Sequence, residues 1–126
     1  MEACRVVGDA VEELLTRALA ELIAAVAPGA AEREATRTLP YDAVDAFRAS
    51  GLGTLRVPRA YGGPGGSVHD VIDVVLGIAT VDSNLAQALR SRFIYPETLL
   101  APGVPEAERV RRFPATTARA TCSPTS

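Results

Sequence analysis

The chain has 126 residues and a formal net charge of −2, which is room for one domain and not two. Apolar residues at 48% beside charged residues at 22% mark a chain that can bury a core, not a disordered or fibrous one. The slight negative charge argues against a general nucleic-acid binder, and the absence of an uninterrupted apolar run of about 18 residues argues against a membrane span.

The start, Met1-Glu2-Ala3-Cys4-Arg5, lacks the basic and apolar segments of a secretory signal. Cys4 and Cys122 stand near opposite ends, and no CxxC pair exists. One histidine cannot complete a zinc site with them at any familiar spacing, so no metal is expected. The default reading is a reduced, cytoplasmic protein, with a terminal disulfide left open.

In chain order, the first segment reads as a helix. Val11, Leu14, Leu15, Ala18, Leu19, Leu22 and Val26 recur at three- and four-residue steps and give one apolar stripe. Asp9 can cap its start with Glu12 three residues on, and Pro28-Gly29 is expected to end it. Residues 30–39 read as a loop or frayed turn. A second helix is predicted from Pro40 to Ser50, with proline at the first helical position, Val44 and Phe47 inward, and Tyr41 a possible third. Gly51 suits its terminus. Residues 51–66 hold six of the ten glycines and two prolines, so they form a connector rather than a helix, anchored by Leu52, Leu55 and Val57.

Ser67 and Asp70 form a capping-box pattern that opens a third helix. Its predicted buried stripe is Val68, Val71, Ile72, Val75, Leu76 and Ala79. Asp82 can cap a fourth helix in which Leu85, Ala86, Leu89 and Phe93 recur, with Pro96 expected to interrupt it and a short turn at 97–100. Pro105 opens a fifth helix with Val110 and Phe113 inward and Arg109, Arg111 and Arg112 outward. Residues 114–126 carry no apolar period and read as a disordered tail. No strand pattern or internal repeat is visible, so the fold class is all-α: an orthogonal or up-down bundle of about five helices with a Gly/Pro-rich connector.

Catalytic constellations are absent. The glycine cluster is not followed by the Gly-Lys-Ser/Thr of a phosphate loop and follows no strand. Its place before a helix could receive an anion, although proline and a capping serine account for it as a tight connector. His69 reads as solvent-exposed, and Asp70 and Asp73 as a solvated helix face favoured by the dipole. The segment from Asp82 to Phe93 is less ordinary. Asn84, Gln87, Ala88 and Ser91 share one helical face, and small residues there leave room for a close approach. Either a helix–helix contact or a ligand-facing wall fits that face, which makes its residues the substrate-pocket candidates.

The stretch from Phe47 to Ser67, with Val57-Pro58-Arg59-Ala60-Tyr61-Gly62-Gly63-Pro64-Gly65 at its centre, resembles the N-terminal helical domain of acyl-CoA dehydrogenases. Arg59 stands where that family commonly has an acid. Asp82-Ser-Asn-Leu-Ala-Gln-Ala-Leu89 resembles the family's next helix. Its wording is similar to the branch of flavin-dependent monooxygenases linked to sulfur acquisition and desulfurisation. The resemblance spans residues 9–113. It implies one wall of the substrate pocket of a three-part flavin oxidoreductase, whose β-domain and C-terminal bundle hold FAD or FMN and the catalytic base. It also implies acyl thioesters or organosulfur compounds as substrates of such an enzyme. The monooxygenase branch commonly has His at the position of Arg92, so the resemblance adds Arg92 to the pocket candidates, with a surface substitution as the alternative, and puts that activity in doubt for this chain. No catalytic or cofactor-binding residue is expected here, and no flavin is expected on this chain alone. The match stops after Phe113, which predicts a truncated product, from a frameshift near that codon, that is inactive alone and prone to self-association. The alternative is a non-catalytic helical interaction module.

Overall fold

The computed structural model describes residues 11–121, with side chains described through Phe113. Asp9, Cys4 and Cys122 lie outside the described residues, and with them the expected first cap and the terminal disulfide. Among the described residues there are five helices and no strand.

Helix α1, Val11–Thr36, is longer than the sequence reading allowed. It contains a wide π-type turn at Leu14–Ala18, regular helix at Leu19–Val26, a tight 3-10 turn at Ala27–Gly29 and regular helix again at Ala30–Thr36. Pro28 does not end the helix. It falls at the start of the 3-10 turn, where its missing N–H matters least. Residues 30–36 are helical instead of a loop because Ala and Glu are strong helix formers. Arg33 also ties them down, donating to the carbonyl of Val26 at 3.0 Å and to Asp82 at 2.9 Å. By length and composition α1 could cross a membrane. Here Leu22 and Val26 are buried in the core, with Leu14, Leu15 and Leu19 packed against it.

Helix α2, Tyr41–Ser50, follows Pro40. Ala43 and Phe47 are buried and Val44 is partly buried, whereas Tyr41 is 70% exposed and does not join the core. Gly51 ends the helix at φ 79°, the left-handed region that glycine enters without a Cβ clash. The connector then packs inward through Leu52, Leu55 and Val57, all fully buried. Its return limb lies against its outgoing limb, with Gly65 N–H bonded to Val57 O at 2.9 Å and Gly66 N–H to Leu55 O at 2.7 Å. A Cβ on Gly63 would sit 2.2 Å from Val57 O, so the close approach requires glycine.

Helices α3, Val68–Ala79, and α4, Ser83–Leu100, form a hairpin and make the most extensive helix–helix contact of the fold. Both expected caps are present. Ser67 and Asp70 complete the box, and Asp82 accepts from the Leu85 N–H at 3.0 Å. Pro96 does not interrupt α4, which runs on to Leu100 with Pro96 buried inside it. The predicted buried stripe of α3 is corrected. Val74 and Ile78 enter the core, Val71, Val75 and Ala79 lie at its edge, and Val68, Ile72 and Leu76 are half or more exposed.

Helix α5, Glu106–Thr121, continues eight residues beyond Phe113, where the sequence reading placed a tail without structure. Two more expectations fail on it. Val110 is 53% exposed, and Arg109 turns inward to donate to the carbonyls of Leu99 and Ala101 at 2.8 and 3.1 Å. Phe113 is fully buried in a small cluster with Val57 and Leu99, beside Tyr61, whose ring centroid lies 4.9 Å away. The main core is separate. There Leu22, Val26, Phe47, Leu52, Leu55, Val74, Ile78, Leu85, Leu89 and Phe93 meet, with Phe47 and Phe93 edge to face at 5.5 Å.

Candidate functional site

The α3–α4 hairpin is the frame of a groove of about 440 Å³. Val68, Val71, Val75 and Ala79 line it from α3. Ser83, Ala86, Gln87, Arg90, Phe93, Ile94 and Glu97 line it from α4. The reason for the groove lies in the width of the apolar arc on α3. Helical spacing places Val74 and Ile78 toward the core and swings Val71, Val75, Val68 and Ala79 successively outward. A helix that served only as a core element would carry polar residues at those outer positions.

Both ends of the hairpin are fixed by arginine–carboxylate pairs. At one end Arg56 grips Glu97 with Nε at 2.5 Å and Nη2 at 3.3 Å, and donates from Nη1 to the carbonyl of Gly66 at 3.2 Å. This ties α4 to the connector and neutralises Glu97 where it borders the groove. At the other end Asp82 caps α4 and accepts from Arg33. Burial works to raise the Asp82 carboxyl. The hydrogen bond from Arg33, the Leu85 N–H, the Arg33 charge and the Asn84 N–H outweigh it and hold the group below the usual carboxylate range.

The sequence-predicted site residues divide between faces of α4. Gln87 is on the groove. Asn84, Ala88 and Ser91 are exposed on the adjoining outer face and do not line it. Arg92 is partly buried and is not a groove residue. Its Nε lies 3.1 Å from where a Cβ on Gly53 would stand, so it rests over the start of the connector. The valines of α3 and Arg90, Phe93 and Glu97 of α4 were not singled out as site residues by the sequence reading. The usable signal was the apolar arc of α3, too wide for one buried stripe.

The connector is not a phosphate cradle. The N–H groups of Gly62, Gly63, Gly65 and Gly66 are bonded to the carbonyls of Arg59, Pro58, Val57 and Leu55, and the Ser67 N–H is bonded to Asp70. The N–H groups of these four glycines are therefore engaged within the connector and are not turned toward an anion. His69 is exposed and 3.3 Å from Asp73. Those two and Asp70 bring their ligand atoms within 4.8 Å of one another, while Asp70 is already engaged as the helix cap.

Residues 9–108 match the acyl-CoA dehydrogenase N-terminal domain. The chain belongs to that family. A probable FMNH2-dependent monooxygenase of Pseudomonas putida, SfnC, is 44% identical to it over 66 residues. That stretch covers 52% of this chain and 17% of the relative's length. No solved structure matches the chain.

Proposed function

We propose that this chain is the substrate-pocket domain of a flavin-dependent oxidoreductase, with the α3–α4 groove as one wall of the pocket. The groove itself carries the reading: an apolar cleft on the surface of a single domain, with polar groups at its lip and its framing hairpin fixed at both ends. Binding sites are typically apolar clefts with a few placed polar groups. Membership of an N-terminal domain family supports it, since a β-domain and a C-terminal bundle then supply the opposite walls, the flavin and the base. The relative, a probable FMNH2-dependent monooxygenase, favours reduced FMN as the cofactor of such an enzyme. On this reading the domain of residues 9–113 has no activity of its own, and its setting is the cytoplasm. Gln87 is a pocket residue. Asn84, Ala88 and Ser91 form the adjoining small-residue face on which another domain packs, and Arg92 acts at a distance from the substrate.

The test is a hybrid enzyme in which residues 9–113 replace the corresponding domain of the Pseudomonas putida relative. Gln87→Trp fills the groove and should lower kcat/KM at least tenfold while flavin content stays unchanged. Asn84→Trp, off the groove, should leave kcat/KM within about twofold of the hybrid. Equal effects of the two substitutions would sink the reading.

The exposed row of Val68, Ile72 and Leu76 favours a second reading, a helical interaction module. Both readings predict that the isolated chain self-associates through this row. Light scattering should show dimers or larger species at high micromolar concentration, and Leu76→Lys should return the chain to monomer.

A further inference from the structure

We propose that the α3–α4 groove selects a ligand with an apolar body and a single anionic group, and that Arg90 is the residue that reads the anion. The inference rests on the proposal that this groove is a ligand wall and names the chemical class it takes.

The two walls of the groove are unlike. The α3 wall is wholly apolar: Val68, Val71, Val75 and Ala79. The α4 wall presents Ser83, Gln87 and Arg90 at four- and three-residue steps, so they follow one line along the helix. Each of the three can donate a hydrogen bond. The charges on the groove are not balanced. Glu97 borders it but is held by Arg56 through both carboxylate oxygens. Arg90 is exposed and has no ion pair or hydrogen bond among the described residues. That sets it apart from Arg33, Arg56 and Arg109, each of which is anchored to a carboxylate or carbonyl. The net field in the cleft is therefore that of one guanidinium beside an apolar floor. A carboxylate matches its planar fork in two parallel bonds. A neutral ligand leaves that charge unanswered, and a cation is repelled by it.

The test uses the full chain labelled for amide NMR and titrated with sodium octanoate, octan-1-ol and octylammonium. Octanoate and octan-1-ol should both shift the amides of Val71, Val75, Ala86 and Gln87. Octanoate should bind about threefold to fivefold more tightly than octan-1-ol, the advantage of one partly exposed ion pair. In Arg90→Gln that gap should close, and Arg90→Lys should retain part of it. In the unmutated chain, raising salt from about 0.05 to 0.5 M should also narrow the gap, since exposed pairs are screened. Equal affinity for octanoate and octan-1-ol, or an octanoate advantage that survives Arg90→Gln, would overturn the anion preference and leave the groove standing. Tighter binding of octylammonium would overturn it too. No shift at the groove with any of the three would remove both the inference and the ligand-wall reading beneath it.

Discussion

Gly63 shows how a single position constrains the connector. Its missing side chain is what lets Val57 O approach, since a Cβ would stand 2.2 Å from that oxygen. Both neighbours of the clash are hard to move, because Val57 is fully buried and its carbonyl is bonded to Gly65. Gly63→Ala should therefore cost about 1–3 kcal/mol, within the range for forcing extra atoms into a packed site, read as a lowered denaturation midpoint. Asp82 sets a different dependence. Its carboxyl is held below its ordinary value of 3.8 in the folded chain. A depressed carboxylate stabilises the fold above its unfolded value, and that stability is lost as pH falls through the folded value. Thermal melts from pH 6 to pH 2.5 should show a steeper acid loss for the native chain than for Asp82→Asn, which keeps the helix cap but removes the charge. At this scale the sequence was highly legible. Caps at Ser67, Asp82 and Gly51 depend on neighbours one to three residues away, so local chemistry determines them. Arg33 and Arg56 were not legible, because their partners lie 49 and 41 residues off.

Helices were legible where one face is apolar and unreadable where tertiary contact overrides local signals. Pro96 looks like a breaker, yet it is buried inside α4. Packing on both flanks keeps the helix continuous despite the lost backbone bond. The stretch Ala30–Thr36 has too few large apolar residues to show a stripe, and its helix rests on propensity and on Arg33. On α3 the periodicity was right and its phase was wrong, because apolar residues extend around so much of the helix that the pattern does not single out the core side. That ambiguity is also where the candidate site lies: the surplus arc is the groove wall. Of the α4 candidates, Gln87 alone shares the groove, since spacing reports which residues share a face and not which face meets a cleft. The start of α5 is held by Arg109, which caps the carbonyl end of α4 through Leu99 and Ala101. Arg109→Ala leaves those carbonyls to find water, and should lower stability by about 1–3 kcal/mol. Arg111→Ala, whose side chain pairs with Glu108 at the surface, should change the same chemical-denaturation curve by less than about 1 kcal/mol.

At the scale of the molecule, the buried apolar residues among those described separate into two clusters of unequal size. The larger one joins α1, α2, α3 and α4 with the start of the connector, and the smaller one joins Val57, Leu99 and Phe113 beneath Tyr61 and Tyr95. Helix α5 seats Phe113, fully buried, in the smaller cluster. Releasing α5 would uncover Phe113 and the sides of α2 and of the Leu52–Thr54 turn that it lies against, while the packing among α1, α3 and α4 stays in place, which makes the C-terminal helix a cooperative unit of lower stability than the rest. Native-state hydrogen exchange should then show amides of α5 opening at a lower free energy than those of Leu22, Phe47 and Leu89, and opening more readily still in Phe113→Ala. Equal protection throughout would mean that the two clusters unfold as one.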